Sequence, residues 1–297
     1  MIRLIALAFL VCFSVNAYSQ VPFPCNDDFY QIVGDNGQLL TYDLESDTVT
    51  FAPNNAGTTL NAAGIRIADG FAYGIFTDNG ALARISLDGT VENLGPVAGL
   101  PADRYPTGDF ANDGLLYVYS NGLNGNFNRI YAINVDTISV VRTIDIAGPF
   151  FSNPDMAFNP TNGLFYGVSS DNIPGSQVPA RQLIAIDVNA GTFEIIGPTN
   201  VPLGEIFASM YSDGAGNVYG SDRGGSGSFY RFDTDTGQAT LLGTTVGIGP
   251  ADGFFCWTNP GPFSRAVPTL SQWGLIAMAG VLGIIGFMVM RRKRAVA

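Results

Sequence analysis

The chain reads as an all-β protein, a five-bladed β-propeller, and three observations carry that reading. First, residues 20–266 alternate Gly, Asn, Asp and Thr turn-formers with short β-branched and aromatic runs, without sustained helical periodicity. Second, two markers each recur five times. A tyrosine in an aromatic run falls at Tyr30, Tyr73, Tyr117, Tyr166 and Tyr219, spaced 43, 44, 49 and 53 residues apart. After each comes an apolar/polar strand ending in a polar turn-former, at Asp43, Ser86, Asn134, Asp187 and Asp233. Third, the two ends of the body are complementary fragments of one repeat. The 24 residues from Asp233 to Trp257 and the 18 from Cys25 to Asp43 together make one repeat length. Six or seven blades is the alternative count, and it needs weak repeats hidden in 96–107 or 172–180.

The elements follow in chain order. Residues 1–19 have the form of a secretory signal peptide: Arg3, an apolar run from Leu4 to Val15, and a small-x-small pair at Ala17 and Ser19. The run is too short to span a bilayer. Cleavage is expected after Ser19, leaving Gln20 first. Cys12 does not make a lipoprotein signal, because Val11 stands where a small residue is required.

The body, 20–260, is the propeller. Each repeat supplies an entry strand, a Tyr strand, an Asp strand and an outer strand, which is one blade. The outer strand often ends in Gly, as in Val91–Gly95, Phe193–Gly197 and Ala239–Gly243. The first repeat lacks an entry strand, and the segment Ala251–Trp257 has the pattern of one. The C-terminal strand is therefore expected to complete the N-terminal blade. Cys25 and Cys256 flank that seam and form an even pair in an exported body, so a disulfide is expected to lock it.

Charge narrows the function classes. The whole chain has net charge −11. Residues 20–266 keep nine Arg, no Lys and all 25 acids, a net −16. Such a surface argues against nucleic acid, which needs clustered cations. With no His anywhere, Ser-His-Asp and Cys-His triads are excluded. The sole Lys, Lys293, lies in the tail, so a Schiff-base enzyme is excluded as well. What remains is carboxylate chemistry. Asp109, Asp155, Glu205 and Asp252 recur near entry-strand starts. Convergent carboxylates suit Ca²⁺ or the acid/base pair of a glycosidase. They equally suit a structural role, each accepting backbone N–H bonds between blades. The run Asp233-Thr-Asp235-Thr-Gly237 lacks the later ligands of a calcium loop and suits a hairpin turn. Gly224–Ser228 reads as a loop, with no Lys or helix to hold phosphate. Phe150 and Phe151 could stack on a sugar or pack between blades. No cofactor is required by any of these motifs.

Residues 261–272 form a linker holding a short motif: Val267-Pro268-Thr269-Leu270-Ser271-Gln272-Trp273-Gly274. Residues 273–290 carry no charge, and Arg291-Arg-Lys-Arg294 follow at once. An 18-residue helix is about 27 Å long, close to the bilayer core. Trp273 suits the interface, and the 291–297 basic tail suits the cytoplasmic side. A type I membrane intermediate is expected, with the body outside.

Motif, apolar span and basic end, in this order, resemble the IPTL-CTERM sorting signal of exported bacterial proteins, with Val267 where Ile is usual. The resemblance covers 267–297. It implies recognition by an exosortase-type transpeptidase, for which Val267, Pro268, Thr269, Leu270, Trp273 and Gly274 are substrate sequence. The body is transferred to the cell surface, and a retained membrane anchor is the alternative. The body itself resembles the uncharacterised propeller-like repeats of exported bacterial surface proteins. The expected function is a cell-surface binding or structural module for a protein or glycan ligand. The alternative is a secreted carboxylate-dependent, glycosidase-like hydrolase.

Overall fold

The computed structural model describes residues 20–257 except 27, 121, 123–127, 172–174, 225 and 248. The signal peptide, the sorting motif, the apolar span and the basic tail lie outside the described residues. Among the described residues no helix is long and apolar enough to cross a membrane.

Twenty strands form five four-stranded sheets. Blade one holds β1 (Phe29–Val33), β2 (Gln38–Asp43) and β3 (Thr48–Asn55). Blade two is β4 (Leu60–Arg66), β5 (Phe71–Phe76), β6 (Ala81–Ile85) and β7 (Val91–Pro96). Blade three is β8 (Thr107–Phe110), β9 (Leu116–Ser120), β10 (Arg129–Asn134) and β11 (Ser139–Asp145). Blade four is β12 (Met156–Phe158), β13 (Phe165–Val168), β14 (Gln182–Asp187) and β15 (Thr192–Pro198). Blade five is β16 (Phe207–Ser212), β17 (Val218–Asp222), β18 (Ser228–Phe232) and β19 (Ala239–Thr244). The last strand, β20 (Ala251–Phe255), pairs antiparallel with β1, setting Tyr30 opposite Phe254. The C-terminal strand thus becomes the inner strand of the N-terminal blade, and Cys25–Cys256 bonds beside it. The ring closes with five blades, and no sixth sheet arises from 96–107 or 172–180 among the described residues.

Burial falls from axis to edge. Strands β8, β12, β16 and β20 are buried along their whole length, whereas β3 and β19 are mostly exposed. Each blade loses its hydrophobic faces to its neighbours. Phe29, for example, packs on Tyr211, Tyr219 and Phe229 across the seam of blades five and one, and on Phe255 of its own blade. In every blade the register shifts where the outer strand pairs with the third. A bulge twists each outer edge and makes it a poorer template for another chain.

The repeat markers have physical causes. Each repeat tyrosine hydroxyl meets a residue in the turn before it: Tyr30 with Asn26, Tyr73 with Asp69, Tyr117 with Asp113, Tyr166 with Asn162 and Tyr219 with Asp213. The second marker caps the next hairpin. Asp43, Asn134, Asp187 and Asp233 each accept two backbone N–H groups through Oδ1, two and three residues on. That settles 233–237 as a hairpin turn, with Gly237 at φ 81°.

The meander topology gives the ring two unlike rims. First-to-second and third-to-fourth connections are short turns and share one rim. The chain enters and leaves the ring there, at Cys25 and Cys256. The longer segments 97–106, 146–155, 169–181 and 199–206 all open on the other rim. Replacing Cys25 and Cys256 by Ser is expected to cost up to about 5 kcal/mol, from a 231-residue separation. Denaturant unfolding measures the loss, and hydrogen exchange should show β20 opening first. An unchanged midpoint would contradict the seam's role.

Candidate functional site

The axis of the ring is built by the five inner strands, so side chains that point inward from them meet. Asp155 is the centre of this region. It is fully buried and accepts four hydrogen bonds. Oδ1 takes Met156 N–H at 2.7 Å and the Thr107 hydroxyl at 3.0 Å. Oδ2 takes Met210 N–H at 2.6 Å and Gly253 N–H at 3.2 Å. The donors come from blades four, three, five and one. Its carboxyl also meets that of Asp252, on β20. Asp252 Oδ2 accepts Ala63 N–H of blade two at 2.6 Å. The Asp155–Asp252 pair therefore touches all five blades.

One atom decides the protonation of this pair. Asp252 Oδ1 is buried and accepts no donated hydrogen bond. Burial pushes both carboxyls above the usual range, and the mutual repulsion pushes Asp252 further. Four donors hold the negative charge on Asp155. Contact with Asp155 pushes Asp252 up while contact with Asp252 pulls Asp155 down, so the proton of the pair belongs to Asp252. Two carboxyls share one proton, as like charges this close require.

Asp109 lies in a different layer. In blades four and one the acid stands two residues before the residue opposite the repeat tyrosine, whereas Asp109 is itself opposite Tyr117. Thr107 occupies the layer of Asp155 and Asp252 in blade three. Asp109 accepts Phe110 N–H at 2.8 Å and Phe158 N–H of blade four at 2.9 Å. Burial pushes its pKa up to about 7 against those two bonds. Blade two contributes Gly64 there, and a Cβ on it would crowd Asp109 Oδ1 and lie 2.8 Å from Phe110 N. At the short-turn end of the bore Trp257, buried, packs on Phe158 at 6.1 Å, joining blades one and four across the centre.

Glu205 departs from the pattern expected of it. It precedes β16, in the 199–206 connection, and its Oε1 accepts the Tyr230 hydroxyl at 3.0 Å. Its pKa is raised by burial and by neighbouring Asp222. The four acids thus do not converge. Ca²⁺ takes six to eight oxygens, and the axial carboxyls leave only Asp252 Oδ1 without a donor. Among the described residues no three acids, His or Cys are placed to hold a metal ion. Phe151 takes the second of its two expected roles, packing. It is fully buried between Tyr119 and Phe193 rather than open to a sugar, because the 147–153 loop folds inward over blades three and four. Both aromatic neighbours lie far from it in sequence, so no local signal marked it as core.

The long-segment rim is braced by polar contacts. The Tyr119 hydroxyl donates to Phe151 O at 2.9 Å, and Ser120 Oγ donates to Asp103 Oδ2 at 2.6 Å. Ser169 Oγ donates to Pro179 O at 2.6 Å, and Asp222 Oδ1 accepts Ile206 N–H at 2.8 Å. Leu203 stands 85% exposed at the tip of its segment.

The chain belongs to the family described as a repeat of unknown function (DUF6923), whose model matches residues 29–253. Residues 265–294 match the IPTL-CTERM motif, a sorting signal that implies export and sorting to the cell surface. No curated protein matches the chain. Solved structures with similar backbones include a catalytically inactive virginiamycin B lyase from Staphylococcus aureus with quinupristin, at 14% identity and TM-score 0.42, over 77% of this chain and 74% of that one. A protein of unknown function from Bacteroides thetaiotaomicron matches at 15% identity and TM-score 0.47, over 77% of this chain and 64% of that one. Hydrazine synthase of Kuenenia stuttgartiensis matches at 12% identity and TM-score 0.41, over 75% of this chain and 64% of that one.

Asp155→Asn puts an NH₂ against backbone donors and should cost about 3–5 kcal/mol in unfolding free energy. Asp252→Asn reproduces the protonated acid and should be near neutral at pH 7; a loss as large as that of Asp155→Asn would refute the assigned proton. The acids with raised pKa stabilise the fold most below about pH 4, and that stability is lost as pH climbs through the raised values. Carboxylates with lowered pKa, such as Asp43 and Asp136, stay ionised above pH 5 and add no slope there. The melting temperature should therefore rise from pH 8 to pH 5, and Asp252→Asn should flatten that rise.

Proposed function

We propose that this protein is an exported cell-surface propeller acting as a binding or structural module, with its ligand, a protein or a glycan, engaged on the long-segment rim. The observation that carries the proposal is the division of the rims. The point where the chain leaves the ring for the sorting tail, Trp257, is on the short-turn rim, so the opposite rim is the one free of the tail's attachment point. The buried axial carboxyls favour this reading over a glycosidase. Asp109 and Asp155 spend both oxygens on hydrogen bonds, and among Asp109, Asp155 and Asp252 there is no open carboxylate pair.

Delivery completes the proposal. Signal peptidase cuts after Ser19, the 273–290 span holds a type I intermediate in the inner membrane, and an exosortase-type transpeptidase cuts near Val267–Gly274. Two measurements test the proposal. Pro268→Ala with Thr269→Ala should trap full-length protein in the inner membrane by fractionation, and unaltered surface display would contradict the sorting step. On glycan and surface-protein arrays, Leu203→Asp should weaken binding about tenfold or more, the scale of removing one anchoring apolar side chain. Asp235→Asn on the short-turn rim should leave binding unchanged, and the reverse order would place the ligand on the other rim.

A further inference from the structure

Residues 20–25 lie against the second blade. Leu87 N donates to Val21 O at 2.9 Å, and Phe23 N donates to Gly70 O at 2.7 Å. Phe23 is buried edge-on to Tyr30 and Phe254. At the head of this segment Gln20 lines a recess of about 480 Å³ with Phe71, Arg84, Thr90 and Glu92. Two buried polar atoms in this recess have no hydrogen-bond partner: Gln20 Oε1, an acceptor, and Arg84 Nε, a donor. The rest of the Arg84 guanidinium is engaged, over the Phe71 ring at 5.1 Å and to Glu92 Oε2 at 2.7 Å. A buried polar group without a partner calls for an explanation.

Gln20 is also the residue that cleavage after Ser19 makes the first of the chain, and the inference rests on that reading. An N-terminal Gln carries its own electrophile. Its α-amine, with a pKa of about 7.7–8.0, is partly unprotonated at neutral pH. The amine nitrogen attacks the side-chain Cδ, the N–Cδ bond forms and the Cδ–Nε2 bond breaks. The amine proton leaves with Nε2 as ammonia. The step is intramolecular and redox-neutral, and needs no co-reactant. We propose that Gln20 is a modification site, cyclised after export to pyroglutamate and seated as a lactam in this recess. The lactam keeps a carbonyl acceptor for the Arg84 Nε–H. It also removes an ammonium that would add a second cation beside an Arg whose charge Glu92 already balances. The recess then caps blade two with a neutral, aminopeptidase-resistant chain end.

The test uses the full-length chain, expressed with its leader in an exporting bacterial host, and mass spectrometry of the N-terminal peptide of the exported protein. The expected peptide begins at residue 20, is lighter by one ammonia, does not react with an amine label and, after unfolding, loses its first residue to pyroglutamyl aminopeptidase, which exposes the amine of Val21. Gln20→Ala should restore a labelled amine. In the folded protein Arg84→Met should speed removal of the lactam by roughly five- to tenfold, the loss of one hydrogen bond. A peptide beginning at another residue overturns the cleavage reading and the modification with it. A peptide beginning at intact Gln20 overturns the modification alone. Equal removal rates with and without Arg84 overturn the seating in the recess.

Discussion

The ring is held at its centre by a pair of carboxyls that share a proton. Five sheets packed face to face bury four of their inner strands completely and most of the fifth, and the axis is a place where water cannot satisfy a polar group. Asp155 and Asp252 turn that constraint into a fastening. Their oxygens take backbone and hydroxyl donors from every blade. Because Asp252 sits on β20, the fastening forms only when the last strand has joined the first blade. The disulfide at Cys25–Cys256 closes the same seam from the rim, so one event completes both the covalent and the polar closure.

Closure determines what is left for function. Carboxyl contacts occupy two levels of the axis and Trp257 stands at one end of it, and the proposal accordingly puts the ligand on a rim. The short-turn rim is given over to hairpin caps in four blades and tyrosine–turn contacts in all five. The long-segment rim differs from blade to blade. A scaffold with one regular and one variable rim suits a module presented at a surface, which is the role the sorting motif implies. Bulged outer edges suit such a module too, since crowded copies would otherwise pair edge to edge.

Much of this was legible from residues alone, because the repeat is written in polar punctuation as well as apolar runs. The Tyr and Asp registers located every second and third strand, and the mismatch of the two ends located the closing strand. The tyrosine's partner was legible too, as Asp69-Gly-Phe-Ala-Tyr73, Asp113-Gly-Leu-Leu-Tyr117 and Asn162-Gly-Leu-Phe-Tyr166, yet alignment on the aromatic run alone passed over it. The axial layer was only half legible. Asp109, Asp155, Glu205 and Asp252 resemble one another in their local sequence, but layer position is set by the register of each strand pair, and a shift of two residues moved Asp109 down the axis. Glu205 left the set because it stands six residues before Tyr211, the residue opposite Tyr219, and Ser209 takes the position two before. The shared proton arises from groups 97 residues apart in sequence (Asp155 and Asp252), which no local pattern encodes.

Site-resolved carboxyl ¹³C NMR of the aspartates, followed from pH 5 to pH 8, tests the central claim most directly. The account predicts one carboxyl, Asp252, with the shift of a protonated acid through pH 7, beside an ionised Asp155 that does not titrate separately. An Asp252 carboxyl already ionised at pH 5, as an ordinary aspartate of pKa about 4 would be, would contradict it.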